Sequence, residues 1–174
     1  MHTCARCLFV VLISLATAPW CAASVIARID PADQAQPVGQ SFTVNIVADM
    51  TEPIVGWGLD LGYDHTVLSL VGAPAIGPLW ISVFTPDGDG LAGVAFPTSV
   101  QGTNVLLATL HFNAIAKGQS DLTLSVTPGD LNEGFAADPA GFANVTYVPG
   151  HVTVTPEPAA ALLLLGGIML KKKC

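Results

Sequence analysis

One pattern constrains this chain more than any other: between residues 24 and 155, apolar and polar residues alternate in short runs, and each run ends at proline or glycine. In SFTVNIVAD, Phe42, Val44, Ile46 and Ala48 fall on one side, and Ser41, Thr43 and Asn45 on the other. In VGWGLDLGY, Val55, Trp57, Leu59, Leu61 and Tyr63 alternate with Gly56, Gly58, Asp60 and Gly62. In LLATLHFNA, Leu106, Ala108, Leu110, Phe112 and Ala114 alternate with Leu107, Thr109, His111 and Asn113. DLTLSV and HVTVT repeat the period, and SVIARI, VLSLV, LWISVF and LAGVAF are shorter candidates. A period of two is that of a half-buried strand. The breakers are Pro31, Pro37 with Gly39, Glu52 with Pro53, Ala73 with Pro74, the Pro86, Asp87, Gly88 turn, Pro128 with Gly129, and Pro149 with Gly150. Each ends a ladder, because proline fixes φ and cannot donate, while glycine opens the left-handed region. No stretch carries a capped 3.6-residue stripe. About nine short strands without a long helix predict an antiparallel sandwich or barrel.

The two chain ends do not belong to this domain. Residues 1–23 hold Arg6, an apolar run over 8–18 and a small-residue exit at Cys21, Ala22 and Ala23. That is the layout of a secretory signal peptide cleaved between Ala23 and Ser24. The run is short for a membrane span, and Pro19 and Trp20 do not suit lipid attachment at Cys21. Three of the four cysteines leave with this segment, and Cys174 is the last residue, so the body has none. It must hold together through its core, although its compartment permits disulfides. Between residues 24 and 155 stand two bases, Arg28 and Lys117, against twelve acids, a net charge near −10. Such a body does not bind nucleic acid through charge. At 132 residues it suits one domain with a real core.

The order and spacing of several segments resemble a cohesin-type domain, one of the carbohydrate-binding-module-like jelly rolls. The residues that carry the resemblance are the Pro-Val-Gly-Gln turn before SFTVNIVAD, then GWGLDLGYDHTVL, then LLATLHFNAIAKGQSDLTL, and last the HVTV strand. The resemblance implies a jelly-roll β-sandwich over residues 24–155. It also implies a non-catalytic function, either binding polysaccharide directly or binding a dockerin module in a polysaccharide-degrading assembly. Scaffold roles are expected for the matched positions: Asp64 as an Asx residue in a turn, and Gly118 as the positive-φ residue of a hairpin. Trp57 and Tyr63 are expected in the core. Trp80, Phe84, Phe96, Phe135 and Phe142 are the remaining aromatics that a sugar platform would draw on. The glycine back of residues 56–62 is expected either to receive a partner or to lie under a loop.

Catalytic patterns are absent from the body. His65, His111 and His151 form no His-Glu-x-x-His motif, and no Gly-x-Ser-x-Gly elbow occurs. Asp60 and Asp64 could be read as the carboxylate pair of a glycoside hydrolase, but a solvated face plus a turn residue is the better reading. No cofactor is expected. Calcium has two candidate loops: one with Asp87 and Asp89, the other with Asp130 and Asn132. The first has two carboxylates and no distal glutamate, and the second resembles the opening of a dockerin calcium loop without its helix.

Pro156, Glu157 and Pro158 precede twelve apolar or glycine positions, residues 159–170, and then Lys171, Lys172 and Lys173. Twelve helical residues span roughly 18 Å against a hydrocarbon core of about 30 Å. Together these features resemble the PEP-CTERM sorting signal, with lysine in place of the commoner arginine, a short helix and a terminal cysteine. The resemblance implies a membrane helix over 156–174 until processing, and an exosortase-type enzyme as processing partner. It also implies export to the cell envelope, cell surface or exopolysaccharide matrix of a Gram-negative bacterium. Mass spectrometry of the protein from its native host is expected to show a first residue at Ser24 and loss of the tail; a chain retaining both ends would overturn this reading.

Overall fold

The computed structural model describes residues 24–83 and 91–157. The signal peptide, the Asp87 and Asp89 loop, Pro158 and the apolar tail therefore lie outside the described residues. What is described is all-β: β1 Val25–Asp30, β2 Asp33–Pro37, β3 Ser41–Gly58, β4 Asp60–Gly62, β5 Leu68–Leu70, β6 Ala75–Ile76, β7 Ile81–Ser82, β8 Ala92–Val94, β9 Val100–Ala114, β10 Gly118–Ser125, β11 Gly134–Ala137, β12 Val145–Val148 and β13 Gly150–Thr155. No helix occurs among the described residues. The expectation of about nine strands becomes thirteen segments, because several runs break into two- and three-residue pieces.

The segments form two sheets. The smaller has the order β2-β13-β10-β4, and the larger is built around β3, with β1 and β9 flanking its first half and β11 and β8 pairing with its second half. The pairing is antiparallel apart from two ladders among the described residues, β1 with β12 and β2 with β13, which are parallel. These two ladders are linked. The chain leaves the larger sheet after β1 and enters the smaller as β2, and its neighbour makes the same move from β12 to β13. Pro31 and Pro149 stand at the two crossings. Proline suits them because it ends one ladder without leaving an unpaired donor. The His151 amide donates to the Ala32 carbonyl at 2.6 Å and closes the crossing.

Two breaks in the alternation decide what is buried. Opposite one step of β3, from Ile46 to Val47, β9 moves from Ala108 to Leu106 and carries Leu107 as an extra residue. This β-bulge flips the phase. Val105, Leu107, Ala108, Leu110 and Phe112 are buried while Leu106 is half-buried, which corrects the sequence expectation that Leu106 shares the Ala108 face. The second break is at Glu52 and Pro53, expected as a turn between strands. Instead β3 runs through them: four steps of β3, Met50 to Ile54, oppose two of β9, Gly102 to Val100. Proline is tolerated there because the ladder has opened, and its carbonyl accepts from the Asp138 amide at 3.0 Å. The shift puts Ile54 in the core in place of Val55. GWGLDLGY is likewise not one strand. The chain crosses at Leu59 from the larger sheet to the smaller, where β4 pairs with β10.

The core lies between the sheets. Its largest fully buried side chains include Phe112, Phe135, Ile29, Ile46, Ile54 and Leu59. Each contributes about 1.5–3 kcal/mol over exposure. Phe112 stacks on Phe42 with centroids 5.7 Å apart and meets the edge of the half-buried Tyr63 at 5.2 Å. Trp57 meets Trp80 in a T-shape at 6.2 Å.

Gly118 does not have positive φ, contrary to the sequence expectation. Its requirement is space: a Cβ there would stand 2.7 Å from Val67 Cγ2. Gly150 has the same reason at the crossing, where a Cβ would come within 2.5 Å of Ile29 Cγ2 and 3.0 Å of the Ala32 carbonyl oxygen. A Gly150→Ala variant is expected to lose about 1–3 kcal/mol of unfolding free energy by overpacking, measured by urea denaturation; an unchanged midpoint would remove the crossing as a tight point.

Candidate partner-binding surface

The sequence-predicted residues separate into scaffold and surface. Asp64 is scaffold. Its Oδ1 accepts from the Thr66 amide at 2.8 Å and from the Thr66 hydroxyl at 2.6 Å, an Asx turn leading into Val67 and Leu68. The Asp64 amide donates to Ser120 Oγ at 2.9 Å, and Ser120 is buried. The Thr66 hydroxyl, then the Thr66 amide, hold the exposed Asp64 carboxyl below the usual carboxylate range. Asp60 is occupied separately, its Oδ2 accepting from the Thr127 hydroxyl at 3.0 Å. The two carboxylates thus serve different local bonds.

Asp130 and Asn132 form a second Asx turn, in which Asp130 Oδ1 accepts from both the amide and Nδ2 of Asn132 at 2.8 Å. No three His, Cys, Asp or Glu side chains come together as a metal cage among the described residues. This loop explains the glycine back of β3. A Cβ on Gly58 would stand 2.2 Å from the Asn132 carbonyl oxygen, so glycine lets the loop lie on the strand. Of the two expectations for that surface, packing under a loop is the observed one at Gly58.

The aromatics sort by burial. Trp57, Trp80 and Phe135 are core, and the Trp80 Nε1 donates to the Leu106 carbonyl at 3.1 Å. Phe96 is 80% exposed and Phe142 55%; Phe84 lies outside the described residues. Of the rings that a sugar-stacking platform would draw on, Trp80 and Phe135 are therefore inside, and Phe96 and Phe142 are outside.

Sequence reasoning missed the surface around Phe142. Ile81 on β7 and Val94 on β8 are cross-strand partners, and both face solvent, 55% and 37% exposed. Val94 is in turn the register partner of Gly56. Beside them opens a cleft of about 220 Å³ lined by Gly56, Val94, Leu131, Gly134 and Phe142. Leu131 is 81% exposed. Leu131 and Phe142 also border a second recess of about 380 Å³, lined further by Val126, Glu133, Val145 and Tyr147. Exposed aliphatic and aromatic side chains grouped around a concave site make this a candidate interaction surface. The available signal was the run from Leu131 to Phe142, but only the fold brings it beside Ile81 and Val94.

The fold that holds this surface is the cohesin fold. It superposes on the third ScaB cohesin of R. flavefaciens, solved in complex with a group 1 dockerin, with a TM-score of 0.61 at 12% identity, covering 79% of this chain and 99% of that one. A cohesin module from a family 33 glycoside hydrolase of Clostridium perfringens gives 0.63 at 9% identity, over 78% and 100% of the two chains. A non-cellulosomal cohesin from the archaeon Archaeoglobus fulgidus gives 0.58 at 17% identity, over 80% and 95%. Comparisons with protein-family models and with curated proteins give no match.

The Asp64 turn has a pH signature. Because its folded pKa is depressed, its contribution to stability is complete above the ordinary carboxylate pKa and is lost as pH falls through the lower folded value. An NMR titration is expected to place Asp64 below 3.8 and to move it upward in Thr66→Val; no movement would show that the hydroxyl does not hold the charge.

Proposed function

We propose that this chain is a non-catalytic binding module that docks a dockerin-like protein partner through the apolar surface around Ile81, Val94, Leu131 and Phe142. The observation that carries the reading is that surface itself: exposed apolar side chains on a sheet and its adjoining loops, in a fold whose solved neighbours include cohesins in dockerin complexes. Burial of Trp57, Trp80 and Phe135 favours a protein partner over polysaccharide stacked on a ring platform. Asp60 and Asp64, each engaged by a threonine, support scaffold roles rather than hydrolysis.

The chain ends add the address. The signal peptide, Pro156, Glu157 and Pro158, and the apolar tail support export and processing by an exosortase-type enzyme. The module would then stand at the cell surface or in the extracellular matrix, where the acidic body keeps it soluble. Pull-down with dockerin-bearing proteins of the host tests the docking reading. An Ile81→Asp, Val94→Asp double variant is expected to bind at least about tenfold more weakly, since buried apolar anchors dominate such interfaces, with its thermal midpoint little changed. Capture of no dockerin-like protein by the unaltered chain would overturn the reading; equal capture by the variant would overturn the assignment of the surface.

A further inference from the structure

The 380 Å³ recess beside Phe142 has a composition that the apolar surface lacks. Its walls are Val126, Leu131, Phe142, Val145 and Tyr147, and a single glutamate, Glu133, stands among them with Asp130 at the same loop. No basic residue lines it. Glu133 is half-buried and held: its Oε2 accepts from the Thr127 amide. Its Oε1 has no donor among the described residues, and neither does the Tyr147 hydroxyl have a partner there. Asp130 is held in the same way, its Oδ1 accepting from the amide and Nδ2 of Asn132. Tyr147 is also half-buried. Burial, and then the Glu133 charge, push its phenol above the ordinary tyrosine value, so the carboxylate acts on this recess.

Apolar walls, two aromatic rings and two carboxylates, each with one oxygen held, match a cation carried on an aliphatic stem. Val126, Leu131 and Val145 are available to the stem, and Glu133 with the rings of Tyr147 and Phe142 to the charge. Across residues 24–155 the acids outnumber the bases twelve to two, and Arg28 is paired with Asp49 at 2.8 Å. Within residues 24–155 there is therefore little to fill such a socket, and the field of this body attracts a positive guest.

We propose that the recess bounded by Glu133, Phe142 and Tyr147 is a socket for a lysine or arginine side chain presented by the docked partner. The source of the cation rests on the partner-binding reading above; the socket itself can be tested without any partner.

The test is an NMR titration of the full chain with three capped amino acids: N-acetyl-lysine amide, N-acetyl-arginine amide and, as the neutral control, N-acetyl-norleucine amide. The expected result is saturable shifts of the Glu133, Gly134 and Tyr147 amides with either cation. Affinity should be about tenfold tighter than for norleucine, as a carboxylate contact plus a cation–π contact would give. In Glu133→Gln the side-chain oxygen can still accept from Thr127, so the loop keeps its form, and the preference for cations should vanish. Phe142→Ala should weaken both cations while leaving the thermal midpoint near that of the unaltered chain. Equal affinity for norleucine, an undiminished preference in Glu133→Gln, or shifts confined to other acidic positions such as Asp121 would each overturn the socket. If the socket fails while a dockerin-bearing protein is still captured, docking stands without it; if the socket holds while no such protein is captured, the docking reading fails alone.

Discussion

The structure depends on the parallel embrace of its first and last strands. Residues 25–28 lie beside 145–148 in the larger sheet, and residues 33–37 lie beside 151–155 in the smaller. Both strands change sheets together, so residues 25–37 and 145–155 tie the two layers along one side. Nothing covalent does this, since the body contains no cysteine. The junction is held by close packing instead: Gly150 against Ile29, the His151 amide on the Ala32 carbonyl, and Val152 and Val154 in the core. Packing at this density tolerates little added volume, so a residue with no side chain becomes a structural requirement.

The same logic explains why the surface around Phe142 exists. β3 is long because it changes partners midway, from β1 and β9 to β11 and β8. Its second half therefore carries a different neighbourhood, in which Gly58 leaves room for the Asp130 loop to lie on the strand. That loop cannot bury all of its apolar residues. Leu131 of that loop and Phe142 of the segment after β11 remain outside, beside the Ile81 and Val94 pair.

Much of the fold was legible in the sequence, because a period of two can bury one face only in a sheet. The inward set Phe42, Val44, Ile46 and Ala48 followed directly, as did Leu110, Phe112 and Ala114. Legibility failed at phase changes. Leu106 and Leu107 are chemically identical, and only the bulge opposite Val47 decides which is buried. Glu52 and Pro53 read as a turn because proline breaks a ladder, yet here the ladder had already opened. Gly118 read as a backbone requirement, but Val67, fifty-one positions earlier, makes it a steric one.

The sequence by itself determined the class of architecture, the Asx turn at Asp64, the absence of cysteine from the body and its acidity, since each is a property of local pattern or composition. Tertiary structure alone decided which glycines are packing contacts, that Trp80 and Phe135 are core, and that Glu133, Phe142 and Tyr147 border one recess while Phe142 and Val94 border another. The physical reason is range: alternation and turn chemistry act over a few residues, whereas a surface is assembled by ladder register between strands scores of residues apart, and register is fixed only when the whole core closes.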